Sequence, residues 1–283
     1  MKNWRTPIIV LITILTVYII KFQLNFPSAD IEVIGVILTI SSILFGFLGG
    51  FFISELWSRY TEIRTLQSEW SSEGLNMLQY ATHFFKNKEF ERDFKNKMEQ
   101  ALTADQLVSW TELDMEIPYF RKIGDSFEKI KVKTSKDEVY FSDLTDSYND
   151  FIKAVVKLDT LGKEKLLSSE WSILFVLSSI IAISILFLDI SHIFYRIMVL
   201  VFPAIITLAL SIIYNLNGLN WGRRTTTLAP NERLFDNMGI KRFYSKTELK
   251  YKDPKIKDYR TEEDLTGELK KIRDKIIEHR KKK

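Results

Sequence analysis

Thr39–Tyr60 reads TISSILFGFLGGFFISELWSRY. From about Val33 to Ile53 no charged residue occurs, and the run is long enough to cross the ~30 Å hydrocarbon core of a bilayer as one helix of ~20 residues. Two faces can be read from the stretch. Ser42, Gly46, Gly50 and Ser54 recur every fourth residue, the small-xxx-small ladder that lets a second helix approach closely. Beside it lie Thr39, Ile43, Phe47 and Phe51. Bulky apolar groups next to a small-residue face can either meet lipid or crowd a hydrophobic constriction, and periodicity alone leaves both readings open.

Three further apolar blocks flank this one. The first runs from about Pro7 to Ile20, with Trp4 and Arg5 before it and Lys21 and Phe22 after it. It is short for a span, and Lys21 can snorkel to extend it. The third block is Trp171 to Leu188 and the fourth about Ile197 to Leu216, close enough in sequence to form a tight hairpin. Pro203 falls inside the fourth, where it removes a backbone donor and is expected to kink the helix. Lys and Arg near the span ends set the orientation. Lys2, Arg5, Arg59, Arg64, Arg223, Arg224 and Arg233 fall on one side, which places both termini and Glu55 to Glu170 in the cytoplasm of a multi-pass cell-membrane protein.

The pattern does not stop at the membrane boundary. Leu56, Tyr60, Ile63, Leu66 and Trp70 continue the helical period, and Leu75, Leu78 and Phe85 carry it on. Phe90, Phe94, Met98 and Leu102 mark a second amphipathic helix. Ile117-Pro118 and Gly124 read as breaks, and a further helix is expected from about Ser142 through Leu144, Phe151, Val155 and Leu158 toward Trp171. The fold expected is all-α: a polytopic membrane protein with four transmembrane helices, helices two and three extended into a helical cytoplasmic domain. Its parts are 1–54 (spans one and two), 55–169 (cytoplasmic domain), 170–217 (spans three and four) and 218–283 (C-terminal segment).

From Lys241 to Lys283 the chain carries 16 Lys and Arg against 9 Asp and Glu, a net +7 that suits anionic lipid better than nucleic acid, since no recognised nucleic-acid module accompanies it. Thr261 could cap a last helix whose Leu265, Leu269, Ile272 and Ile276 form a short a/d stripe fit for self-association; a solvated tail is the competing reading.

Chemistry is poorly served. Cysteine is absent, which excludes disulfides and thiol nucleophiles. His83, His192 and His279 are far apart, so no metal-ligand spacing exists. No glycine-rich phosphate loop, Ser-His-Asp pattern or H-E-x-x-H occurs. No catalytic residue, metal or cofactor is expected.

The second span resembles that of the bestrophin channels, in which a Gly-Phe pair is followed ten residues after the Phe by Trp and three later by Tyr. Gly46, Phe47, Trp57 and Tyr60 stand at those spacings. The order of spans also resembles that family and, more loosely, the bacterial bestrophin-like families. The resemblance implies a homo-oligomer, a pentamer, passing monovalent ions through one pore whose narrow neck is lined by Thr39, Ile43 and Phe47, with Phe51 one turn beyond. Thr39 is a polar departure from an otherwise apolar neck. Eukaryotic members bind calcium through an acidic cluster after the last span; Asn215 to Asp236 holds only Glu232 and Asp236 as acids, so no such clasp is expected here. Asp30 and Glu32 precede span two. In a ring of copies they would form a carboxylate mouth that favours cations; alternatively they only complement the positive end of the helix. The rival to a channel is a membrane-anchored scaffold whose cytoplasmic helices bind partners.

Overall fold

A computed structural model describes residues 5–23, 31–108, 112–188, 193–219, 228–249 and 252–282. Helices dominate, in agreement with the all-α expectation. The chain divides into two compact units: Met1–Tyr60 with Lys165–Trp221, and Thr61–Glu164 with Gly222–Lys283.

The first unit is apolar. Its elements are α1 (Arg5–Tyr18), a π-helical turn (Ile19–Gln23), the opening part of α2 (Ile31–Thr82), α6 (Ser168–Phe187) and α7 (Ile193–Asn217). Among the described residues α2, α6 and α7 are long and apolar enough to cross a membrane. The helical stretch Ile8–Gln23 is apolar but shorter; at 1.5 Å per residue it covers roughly 24 Å. It packs along α7, and its end is pinned by Lys21. That ammonium is buried and donates to the Leu186 carbonyl at 2.8 Å, one of the acceptors that the end of α6 leaves over. Lys21, read from the sequence as able to snorkel, has its ammonium at the carbonyl end of α6. Pro203 is buried within α7, which runs on through it. Asn217 closes the unit: its Oδ1 accepts from the Leu166 N–H at 2.9 Å, and its carbonyl accepts from Arg59 at 3.4 Å.

The second unit has a dense aromatic core. It contains the remainder of α2, α3 (Lys88–Leu107), α4 (Ile117–Gly124), α5 (Ser135–Lys163), α8 (Ala229–Met238) and α9 (Gly267–Lys282). Phe90, Phe94, Met98 and Leu102 of α3 are wholly buried, as their spacing predicts. Full burial of such side chains is worth roughly 1.5–3 kcal/mol each. Trp70 of α2 stacks on Phe151 of α5 at 5.5 Å, and Phe120 of α4 meets both rings edge-on. Gly74 permits a close approach there: a Cβ on it would lie 3.1 Å from Leu234 and 3.2 Å from Phe151.

Several expectations are revised in this unit. Ile117-Pro118 and Gly124 do punctuate the middle of the domain, but between them lies the short helix α4, with Pro118 in its first turn, where its missing N–H costs nothing. Helix α5 starts at Ser135, earlier than about Ser142, because Thr134 and Asp137 form a capping box. It also ends at Lys163, and α6 begins only at Ser168, with Glu164 and Leu167 in extended conformation between them. Helix three is therefore not one extended rod, whereas α2 is continuous over 52 residues. The a/d stripe of the tail does not face outward: Leu265, Ile272 and Ile276 are buried, and α9 packs on α3 of the same chain. Thr261 does not cap α9. It ends β2 (Tyr259–Thr261), which pairs in parallel with β1 (Arg242–Tyr244), and its N–H and hydroxyl both donate to the Asp264 carboxylate.

Candidate functional site

The candidate site is the face of α2 that the chain itself leaves uncovered. Helical period decides which side chains share that face. The inward side of α2 in the first unit is Ser41, Phe45, Phe52, Leu56 and Tyr60, all buried. The opposite side carries Thr39, Ile43, Phe47 and Phe51, all exposed; Ile43 is 66%, Phe47 75% and Phe51 59% exposed. The four residues singled out by the sequence therefore lie together on one outward strip. Thr39 turns its hydroxyl onto its own helix, donating to the Gly35 carbonyl at 2.7 Å.

Most of the small-residue ladder is also uncovered within the chain. Gly46, Gly50 and Ser54 are exposed and Ser42 is half-buried. A Cβ added to Gly46 or Gly50 would meet nothing within 4 Å, so neither glycine is required by packing within the described residues of the chain. Trp57 and Tyr60 of the family spacing form a ring pair at 5.7 Å, Trp57 facing out and Tyr60 buried. Glu32 sits in the first turn of α2, where a carboxylate is favoured by the helix dipole. Asp30 lies outside the described residues.

No group of three or more His, Asp or Glu is placed to hold a metal ion among the described residues. Glu232 and Asp236 both pair with Arg242, at 3.3 and 2.6 Å, and Glu232 also accepts from the Tyr244 hydroxyl at 2.7 Å.

A second polar cluster, which the sequence reading does not single out, lies in the second unit. Asp105 of α3 faces the buried Glu116 and accepts from the Asn231 amide of α8. Lost hydration pushes the Asp105 carboxyl up to about 6. Glu116 is held well above the ordinary carboxylate value by burial first and by the Asp105 charge second. A signal for it exists: Asp105 follows Phe94, Met98 and Ala101 at helical steps, which puts a carboxylate on the core face.

The model of the Bestrophin-like domain matches residues 8–218. The chain belongs to the Bestrophin-like family. It is a membrane protein of a family whose members are generally ion channels rather than enzymes. No curated protein and no solved structure matches the chain significantly.

Proposed function

We propose that this protein is the subunit of a homo-oligomeric ion channel in which α2 of each copy, five in all, lines one central pore. The observation that carries the reading is the uncovered strip Thr39, Ile43, Phe47 and Phe51, set beside a ladder of small residues of which Gly46, Gly50 and Ser54 are also exposed. In a ring of copies the ladder Ser42, Gly46, Gly50 and Ser54 receives a neighbouring helix, and the bulky strip is turned to the axis. Dry, apolar constrictions of this kind gate by excluding water. Asp30 and Glu32 then form the mouth, and ten carboxylates in a pentamer lean the channel toward monovalent cations. The distribution of Lys and Arg supports both termini and Glu55 to Glu170 on the cytoplasmic side.

The test is ion flux through purified protein in liposomes, with Phe47→Ala beside the wild type. Truncating a ring of phenylalanines in the neck raises unitary conductance several-fold. Reversal potentials in asymmetric salt decide the ion, and clear chloride selectivity defeats the cation lean. Absence of flux from a well-folded oligomer defeats the channel and leaves the membrane-anchored scaffold.

A further inference from the structure

The second unit contains a pocket of about 220 Å³ between α2 and the start of α8, lined by Arg64, Gln67, Ser68, Ser71, Pro230 and Arg233. The lining holds two guanidinium groups, two hydroxyls and an amide, and no carboxylate. The pocket sits at the N-terminus of the ten-residue helix α8, whose preceding residue, Leu228, offers no side-chain cap. Leu228 is itself in helical conformation and Pro230 has no N–H, so the first turn offers at most the Ala229 and Asn231 N–H groups at the positive end of the helix dipole.

Two buried side chains in the lining lack protein partners. Ser71 is 5% exposed and its hydroxyl has no hydrogen-bond partner; Gln67 is 7% exposed and its amide oxygen has none. The Ser42 hydroxyl, elsewhere on α2, is also unpartnered, whereas those of Thr39 and Thr65 donate back to the helix at Gly35 and Thr61. A buried polar group left without a partner has lost its hydration without compensation, a cost that a ligand with matching atoms recovers. The Gln67 amide can present its NH₂ in place of its oxygen by rotation about its last torsion. Arg233 is exposed and forms no ion pair among the described residues. The one acid in the first turn of α8, Glu232, is engaged by Arg242 and Tyr244.

We propose that this pocket binds a phosphate group, held by Arg64 and Arg233, by the Ser71 hydroxyl and by the start of α8. The planar guanidinium forks match the oxygens of a tetrahedral oxyanion in a way that a monatomic ion cannot exploit. Helix N-termini are established phosphate cradles when donors converge on them. The volume is below the ~300 Å³ typical of sites for larger organic ligands, so it fits a phosphate rather than the body of a nucleotide. The group could be presented by a phosphate-bearing lipid headgroup or by a soluble phosphate, and the chemistry of capture is the same.

The experiment uses the full chain in mild detergent, titrated with inorganic phosphate at constant ionic strength against chloride, and read by calorimetry and thermal shift. The wild type binds phosphate and melts higher with it. Arg233→Glu reverses an exposed charge and weakens binding by roughly tenfold or more, while its melting temperature without phosphate stays near wild type. Ser71→Ala, which removes the buried hydroxyl without adding charge, weakens binding by a smaller factor; Arg233→Gln replaces Arg233→Glu if the reversal fails to fold. A second arm compares phosphatidylcholine nanodiscs with and without phosphatidic acid. Competition by phosphatidic acid assigns the site to a headgroup, and undiminished phosphate binding assigns it to a soluble source. A wild type indifferent to both phosphate and phosphatidic acid overturns the proposal, as does unchanged binding in the Arg233 and Ser71 variants.

Discussion

His83 and Asp137 meet at 2.9 Å, Nε2 to Oδ1, joining the turn after α2 to the first turn of α5. The imidazole also lies flat on Tyr140, with ring centroids 4.1 Å apart. The same carboxylate accepts the Lys133 and Thr134 N–H groups at 3.1 and 3.0 Å. The hydrogen bond from His83, followed by these backbone donors, holds the Asp137 carboxyl down at about 2. A folded-state value below the unfolded one stabilises above the unfolded value of ~3.9 and is lost as pH falls toward 2. Asp137→Asn should therefore melt below wild type at pH 7, and the gap should close as pH drops through that window. Equal melting temperatures at pH 7 would show the contact to be energetically idle.

The Asp105–Glu116 pair has the opposite sign. Its folded-state values are raised, so the native state holds protons that the unfolded chain releases, and stability falls as pH rises from about 4 to about 6 and beyond. Glu116→Gln removes one charge from the conflict. It should raise the melting temperature by a few degrees at pH 7 and by much less at pH 5. A variant less stable than wild type at pH 7 would mean that Glu116 has an ionic partner there.

Gly74 tests the packing of α2 against α5 and α8. Gly74→Val places branched atoms where even a Cβ stands 3.1–3.2 Å from Leu234 and Phe151. Overpacking of this kind costs about 1–3 kcal/mol, measurable as a shifted denaturation midpoint. No loss of stability would mean that the aromatic cluster yields easily.

Gly50 offers the contrasting case, because a Cβ there meets nothing within its own chain. Gly50→Val should leave secondary structure intact yet lower the particle mass in mild detergent, since it fills the groove proposed to receive a neighbouring copy. Native mass spectrometry reads the subunit count directly; an unchanged count would move the intersubunit contact off this ladder.

The C-terminal helix should matter for stability and not for assembly. Ile276 is 1% exposed, and Arg280 anchors the same helix by donating to Glu112 at 2.9 Å and to the Leu107 carbonyl at 2.6 Å. Ile276→Ala should cost about 2–4 kcal/mol while leaving the oligomer number unaltered. Dissociation into smaller species would restore the self-association reading of the stripe.

Hydrophobic periodicity makes α2 and α3 legible from sequence, because Leu56 through Trp70 and Phe90 through Leu102 each bury one unbroken face. What it does not provide is which partner a face chooses. Leu265, Ile272 and Ile276 have the same spacing whether they meet a second copy or α3, and only the long-range fold decides. Helix ends escape the pattern where local hydrogen bonding overrides the apolar period, as at Thr134 and Asp137. The pair β1 and β2 is too short for alternation to register. At the candidate site, the co-facial placement of Ile43, Phe47 and Phe51 follows from helical geometry, whereas Asp105 announces itself only through α3's inward register and Glu116, which precedes α4, has no periodic signal at all.

Thr39 is the polar intruder on the outward strip of α2, yet its single proton is already committed to the Gly35 carbonyl. A hydroxyl in that state is a one-way contact: it has lone pairs to offer and no hydrogen. Were a ring of such residues to surround a passing ion, it would act as a weak Lewis base toward sodium or potassium and offer nothing to solvate a halide.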